Sequence, residues 1–334
     1  MKYLIERLIS GSDLRDTEVE QAFEEIMSGK ASDVQIGAFL TALRAKGEKP
    51  PEIASAASVM RSKALNIDLG FDVVDTCGTG GDNSSTFNIS TAVAFVLAGA
   101  GFKVAKHGNR SVSSTSGSAD CLEALGVPID LGPKEAADAI KKNSFAFLFA
   151  PKYHPSMKYA MPARRQLGIR TIFNVLGPLA NPANASYQVV GVYSRDLIKP
   201  VAQALFLMGL KGAMVVSAEI MVDALDEVSI AGPTYYARLY NGQITFGEIR
   251  PEDTGITPSP ISSIKSSSPK ESASIIEGVF EGRLNGPHLD IILLNAAAGF
   301  MAIDKSIDIK EGMDMASKVI TKGDALDALN RARA

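Results

Sequence analysis

The residues best suited to chemistry crowd into one stretch, 75–120. It opens Asp75-Thr76-Cys77-Gly78-Thr79-Gly80-Gly81-Asp82 and continues Asn83-Ser84-Ser85-Thr86-Phe87-Asn88-Ile89-Ser90-Thr91. After an apolar run it resumes with Lys106-His107-Gly108-Asn109-Arg110-Ser111 and then Gly117-Ser118-Ala119-Asp120. Val73-Val74 reads as the end of a strand and 90–100 as a helix. The glycines therefore lie between a strand and a helix N-terminus, where free backbone N–H groups and the helix dipole attract anions. A second loop carries Lys106 and Arg110, which offer full positive charges. The ligand implied is strongly anionic, most simply a phosphate or a pyrophosphate.

Taken singly, each feature has a plain structural explanation. Gly78 to Asp82 is a tight turn. It lacks the Gly-Lys-Ser/Thr of a P-loop and the GxGxxG spacing of dinucleotide folds. Asn88 to Thr91 is a helix cap, His107 a hydrogen-bonded core histidine, and two loop cations are ordinarily solvated. Arg164-Arg165 reads as exposed helix charge and Asp226-Glu227 as a solvent-facing pair. The conjunction within about 45 residues of chain is what resists a structural account.

The elements that must position these groups change in texture near residue 71. Before it the chain reads as helices only. Leu4, Ile5, Leu8 and Ile9 form one apolar face, and Thr17-Glu18-Val19-Glu20 has the capping-box pattern ahead of Val19, Phe23 and Ile26. Ile36, Phe39, Leu40 and Leu43 mark a third helix, and Pro50-Pro51 opens a fourth. So small a bundle has little core of its own and is expected to pack on the rest of the chain or on a partner. From 71 onward strands alternate with helices. Strands are expected at 73–74, 103–105, 146–149, 188–193, 212–217 and 237–240. Helices are expected at 90–100, 119–125, 133–142, 199–208, 275–280, 289–300 and 313–329. This order argues for an α/β fold with a largely parallel sheet whose ligands bind at the strands' carboxyl ends. The segment 153–184 interrupts the pattern and is expected to fold back over the bundle.

Composition narrows the partners. The 334 residues carry a net charge of −3, which gives no support to a nucleic-acid partner. The two cysteines, Cys77 and Cys121, are too few for a disulfide framework or a cysteine zinc site, and a cytoplasmic home is expected. No signal peptide and no membrane-length apolar run is visible.

These motifs resemble the anthranilate phosphoribosyltransferase family, which shares its fold with pyrimidine nucleoside phosphorylases. The resemblance spans nearly the whole chain. It takes in His154-Pro155, 164–174, Leu176-Gly177-Pro178-Leu179, Asn181-Pro182 and Asp226-Glu227-Val228-Ser229 as well as the opening stretch. It implies a helical domain, 1–70, joined by part of 155–185, and an α/β domain, 71–334, that binds 5-phosphoribosyl 1-pyrophosphate. The implied reaction moves the phosphoribosyl group to anthranilate in tryptophan synthesis, with magnesium. By resemblance, phosphoribosyl pyrophosphate meets Gly78, Thr79, Gly80, Gly81, Asp82, Thr86, Asn88, Ser90, Thr91, Lys106 and Ser118. Anthranilate meets Gly78, His107, Asn109, Tyr153, His154, Arg164 and Gly177, and magnesium meets Ser90, Asp226 and Glu227. No residue is assigned as acid or base. A homodimer through the apolar faces of the first helices, Leu8 and Phe39 included, is expected, and association with anthranilate synthase stays open. The chain departs from the family at Ala224, where a glycine is usual, and in an unusual segment, 219–223. Two rivals remain: a nucleoside phosphorylase of the same fold, opposed by the full Lys106-to-Arg110 and Asn174-to-Pro178 segments, and a silent nucleic-acid-binding relative, opposed by the acidic pair and the net charge.

Overall fold

The structure is a computed structural model that describes all residues except 82–83, 111–115 and 221–222, and except the side chains of 220, 223 and 224. Four helices come first: α1 (Lys2–Ile9), α2 (Asp16–Met27), α3 (Asp33–Lys46) and α4 (Pro50–Ser62). Ser32 caps α3 by accepting from the Gln35 N–H, while Gln35 accepts in return from Ser32. The box on α2 sits two residues earlier than its sequence pattern: Arg15 is the cap, and Glu18, not Glu20, closes it by accepting the Arg15 N–H at 2.9 Å. Then follow β1 (Val74–Gly78), α5 (Ile89–Gly99), β2 (Val104–Gly108), α6 (Ser118–Ala124), α7 (Pro133–Asn143) and β3 (Phe145–Phe149). A helical connection of α8 (Ala150–Tyr153), α9 (Met161–Leu167) and α10 (Ile172–Leu179) leads to β4 (Tyr187–Gly191), α11 (Ile198–Leu207), β5 (Gly212–Ile220), β6 (Asp223–Leu225), β7 (Thr234–Tyr240) and β8 (Gln243–Ile249). The chain closes with α12 (Pro269–Phe280), α13 (Pro287–Ile303), α14 (Ile309–Thr321) and α15 (Asp324–Arg333).

Among the described residues, seven strands lie side by side in the order β3-β2-β1-β4-β5-β7-β8, with β6 paired to the far end of β5. The pairs from β3 to β5 are parallel, and β5-β7, β7-β8 and β5-β6 are antiparallel. Alternation along the strands sends side chains to the two faces of the sheet. Val189, Met214 and Val216 face the cluster built by α5, α6 and α12 to α15, whereas Val190, Val215 and Ala237 face the other side. That second core is continuous with the helical bundle through Phe173, Leu176, Val201 and Leu205 of α10 and α11. The bundle thus borrows its core from the sheet.

This arrangement corrects one expectation. Leu8 and Phe39 are 2% and 0% exposed, and both belong to the shared core, so they cannot form a contact between subunits. The exposed apolar residues of the bundle are Tyr3, Ile9 and Val34 instead. Among the described residues, no helix is long and apolar enough to cross a membrane.

Candidate active site

β1 and β2 run further than their apolar residues suggest. Gly78 ends β1, and Lys106 and His107 lie within β2 rather than on a loop. The carboxyl ends of β1, β2 and β4 therefore bring the glycines, the lysine and Gly191 together at one edge. The glycine loop is pinned there. Thr79 donates its N–H to the Gly191 carbonyl at 2.9 Å and accepts the Tyr193 N–H on its hydroxyl at 3.0 Å. Gly80 and Gly81 have φ of +64° and +75°, a backbone that side chains other than glycine adopt at a cost.

Asp226, just past β6, reaches this loop. Its Oδ2 accepts the Gly80 N–H at 2.8 Å. A Cβ on Gly78 would overlap the Asp226 carboxylate, and one on Gly191 would overlap its backbone carbonyl. The two glycines are what let the acidic segment close over the strand ends. Ala224 lies in β6, paired with Glu219, so its backbone is extended and needs no glycine. The departure from the family at 224 therefore carries no backbone strain. Asp82, Asn83 and Ser111 lie outside the described residues, as do Met221 and Val222.

Lys106 is 1% exposed. Its ammonium donates to the Thr76 carbonyl at 2.5 Å and the Ser90 hydroxyl at 3.2 Å, and Thr76 Oγ1 donates to the Ser90 carbonyl at 2.8 Å. Burial lowers its pKa, while the charges of Asp75 and Glu227 oppose that shift. Asp75, fully buried, accepts from the His107 N–H and from Asn181 Nδ2, and burial raises its pKa. Arg110 does not offer its charge to the cleft: its guanidinium grips Asp120 at 2.7 Å and Glu123 at 2.5 Å.

Asn88 is a hub that sequence reading understated. Its N–H donates to Ser272 Oγ, its Nδ2 donates to the Ser116 carbonyl, and its Oδ1 accepts from both serine hydroxyls. Ser272, on α12 far along the chain, has no local signal for this role. Thr91 is buried and its hydroxyl has no partner among the described residues. Ser118 Oγ donates to the Asn109 carbonyl at 3.3 Å, and Thr86 pairs with Lys265.

On the bundle side the surroundings turn apolar. His107 Nδ1 lies 3.2 Å from the Gly177 carbonyl, and its ring centroid is 5.0 Å from that of His154. Burial, with the neighbouring His154, holds His107 down to about 3; burial holds His154 down to about 4. Both rings are neutral near pH 7. A carbonyl can only accept, so Nδ1 carries the proton and Nε2, buried without a partner among the described residues, is left with its lone pair. Arg164 lies over the Phe173 ring at 5.0 Å, and Phe173 belongs to the same helix that presents Gly177. Burial lowers its pKa, and among the described residues no acid pairs with it. Tyr153 is not in this wall. It is fully buried in a small core with Ile67 and Ala146, and its hydroxyl donates to the Leu131 carbonyl at 3.1 Å. Arg170, which sequence reading passed over singly, donates to the Gly81 carbonyl and stacks 4.1 Å above the Tyr193 ring.

Among the described residues no three His, Cys, Asp or Glu side chains gather into a metal cage. The donors at hand are hard oxygens: Asp226, Glu227 and the Ser90 hydroxyl. That set suits magnesium, which keeps waters and leans on substrate phosphates, and it does not suit zinc.

The chain matches the helical bundle domain of the glycosyl transferase family over residues 2–64 and the a/b domain of that family over residues 70–326. It is 46% identical to an anthranilate phosphoribosyltransferase of Persephonella marina, over 100% of this chain and 98% of that protein. The crystal structure of anthranilate phosphoribosyltransferase from Thermus thermophilus is similar at a TM-score of 0.93 and 37% identity, covering 99% of this chain and 98% of that one. The Saccharomyces cerevisiae enzyme in complex with phosphoribosyl pyrophosphate and magnesium is similar at a TM-score of 0.89 and 30% identity, covering 99% and 96%.

Proposed function

The chain belongs to the anthranilate phosphoribosyltransferase family, and from that premise we propose how its residues divide the work. It transfers the phosphoribosyl group of 5-phosphoribosyl 1-pyrophosphate to anthranilate, giving N-(5-phosphoribosyl)anthranilate and pyrophosphate in tryptophan biosynthesis. The bond from ribose C1 to the pyrophosphate oxygen breaks, a bond from C1 to the arylamine nitrogen forms, and that nitrogen loses one proton.

The observation that carries the assignment of roles is the half-buried guanidinium of Arg164, which no acid among the described residues pairs with. A planar carboxylate matches its fork. Anthranilate held there lies on the side of the neutral His107 and His154 rings. The arylamine is a weak nucleophile, so orientation contributes more than a strong base. Both histidines stay neutral and do not repel the positive charge that grows on the ribose. The glycine loop, with Lys106 beneath it, receives the pyrophosphate. Asp226, Glu227 and Ser90 would hold magnesium, which supplies positive charge against the leaving group. In this reading Asp226 exchanges its contact with Gly80 for that role, which frees the amide for phosphate.

Highly charged substrates suit an enzyme of the cytoplasm. The division between domains falls near residue 70, with 155–185 joined to the bundle. A homodimer, if formed through the bundle, uses Tyr3, Ile9 and Val34. The test is loss of anthranilate fluorescence on adding phosphoribosyl pyrophosphate with magnesium. Loss that needs both additions supports the reading, and anthranilate left unconsumed refutes it.

A further inference from the structure

We propose that Arg170 is a positioning residue that holds the glycine loop ready for phosphoribosyl pyrophosphate and ties that loop to the helical bundle. The inference rests on the functional reading above. Thr79 is fixed to β4 through Gly191 and Tyr193, and Gly80 is held by Asp226. The next carbonyl, that of Gly81, is held by the Arg170 guanidinium. Gly80 and Gly81 have the least conformational restraint of any residue type, so this last pin fixes a backbone that would otherwise wander.

Arg170 is itself fixed from two sides. Its guanidinium lies 4.1 Å over the ring of Tyr193, the residue whose N–H meets Thr79. Its own carbonyl accepts from Arg44 on α3, so the contact chain runs from the bundle to the loop. Among the described residues no acid neutralises Arg170, and its charge stays available beside the place where the pyrophosphate arrives. Only a planar fork can meet the carbonyl and stack on the ring together; a lysine keeps the charge but cannot make both contacts at once. When the Gly80 N–H is released by Asp226, Arg170 is the pin that keeps the loop in shape.

The test uses Arg170→Ala, Arg170→Lys and Tyr193→Phe in the full enzyme. Affinity for phosphoribosyl pyrophosphate with magnesium is read by calorimetry without anthranilate, and both Michaelis constants are read in the assay. Arg170→Ala is expected to weaken phosphoribosyl pyrophosphate about tenfold, the factor that about 1.4 kcal/mol is worth, and to leave the anthranilate constant within about twofold. Arg170→Lys is expected to recover about a third of that loss on a logarithmic scale, and Tyr193→Phe, which keeps the ring face, to change nothing. Unaltered calorimetric affinity in Arg170→Ala overturns the proposal, and so does an equal rise of both constants. Because calorimetry reads the loop without turnover, these results stay separate from a wild type that fails to consume anthranilate, which would sink the functional reading instead.

Discussion

The two sides of the cleft treat positive charge in opposite ways. On the β2 side, Lys106 and Arg110 already have partners: Lys106 sits under the strand ends on Thr76 and Ser90, and Arg110 folds back on Asp120 and Glu123. On α9 and the connection from it to α10, Arg164 and Arg170 lie on aromatic faces with no acid among the described residues. A carboxylate or phosphate that enters meets the second pair without a competing acid, whereas the charge of Arg110 is already shared by two. The cations that look most functional in sequence are thus the most occupied in the fold.

The acidic pair, opposite these cations, is where the comparison breaks hardest. Replacing Asp226 by Asn and Glu227 by Gln keeps shape and removes two negative charges. The amide oxygen of the introduced asparagine can still accept the Gly80 N–H, so the loop is expected to keep its form. Turnover is expected to fall on the order of a hundred- to a thousand-fold, with a higher magnesium requirement and anthranilate affinity retained. Magnesium curves that coincide with wild type would mark the pair as mere surface charge.

Arg164→Ala comes next. It removes a cation that no acid among the described residues pairs with, and is expected to raise the anthranilate Michaelis constant by roughly ten- to a hundred-fold while that for phosphoribosyl pyrophosphate moves little. Its pairing with Phe173 is lost too, so the anthranilate constant is compared with that of Arg164→Lys, which keeps charge without the fork. Equal shifts in both substrates' constants would show that Arg164 is not the carboxylate's partner.

Much of this was legible in the sequence, and what was not has physical causes. The parallel order was readable because Val189-Val190 and Val215-Val216 fill both faces of buried strands. The carboxyl ends of those strands were not, because Thr76-Cys77-Gly78 and Lys106-His107-Gly108 are built for a ligand rather than a core and read as loop. β8 was missed because it is an edge strand whose residues are mostly outside the core. The single closing helix expected over 313–329 is two, broken at Gly323. Tyr153 shows the limit of carrying a role by resemblance: the motif matched, but the ring fills a separate core. Asp226 on Gly80 bridges 146 positions, and no local pattern announces it.

The histidines sharpen the contrast on a smaller scale, since they keep the bundle side free of charge. His107 and His154 are held to about 3 and about 4, against 6.5 unperturbed. Below pH 6.5 the unfolded chain binds protons that the folded rings refuse. Their contribution is therefore present above pH 6.5 and is lost as pH falls toward those lower values, at about 1.4 kcal/mol per ring per pH unit. His154→Asn is expected to give a flatter decline of stability between pH 6.5 and 5 in urea titrations. A decline parallel to wild type would mean that the ring takes up its proton in the folded state as easily as in the unfolded one.

The smallest expected effect belongs to Arg110, and it tests the comparison from its other side. Arg110 lies in the segment with the most conspicuous motif, beside Asn109, yet its guanidinium is spent on Asp120 and Glu123 of α6. Those contacts are exposed, and exposed ion pairs add little to stability. Arg110→Ala is therefore expected to shift the melting temperature by no more than about two degrees. Both Michaelis constants should stay within about twofold, because a cation already shared by two acids has little charge left for a phosphate. The informative control is Asp120→Asn with Glu123→Gln, which releases the guanidinium without deleting it. If pairing is what silences Arg110, this release should tighten phosphoribosyl pyrophosphate, and the gain should vanish when Arg110→Ala is added. If Arg110→Ala alone raises the Michaelis constant for phosphoribosyl pyrophosphate several-fold, Arg110 leaves its acids for the substrate, and the division of the cleft into spent and free charge fails.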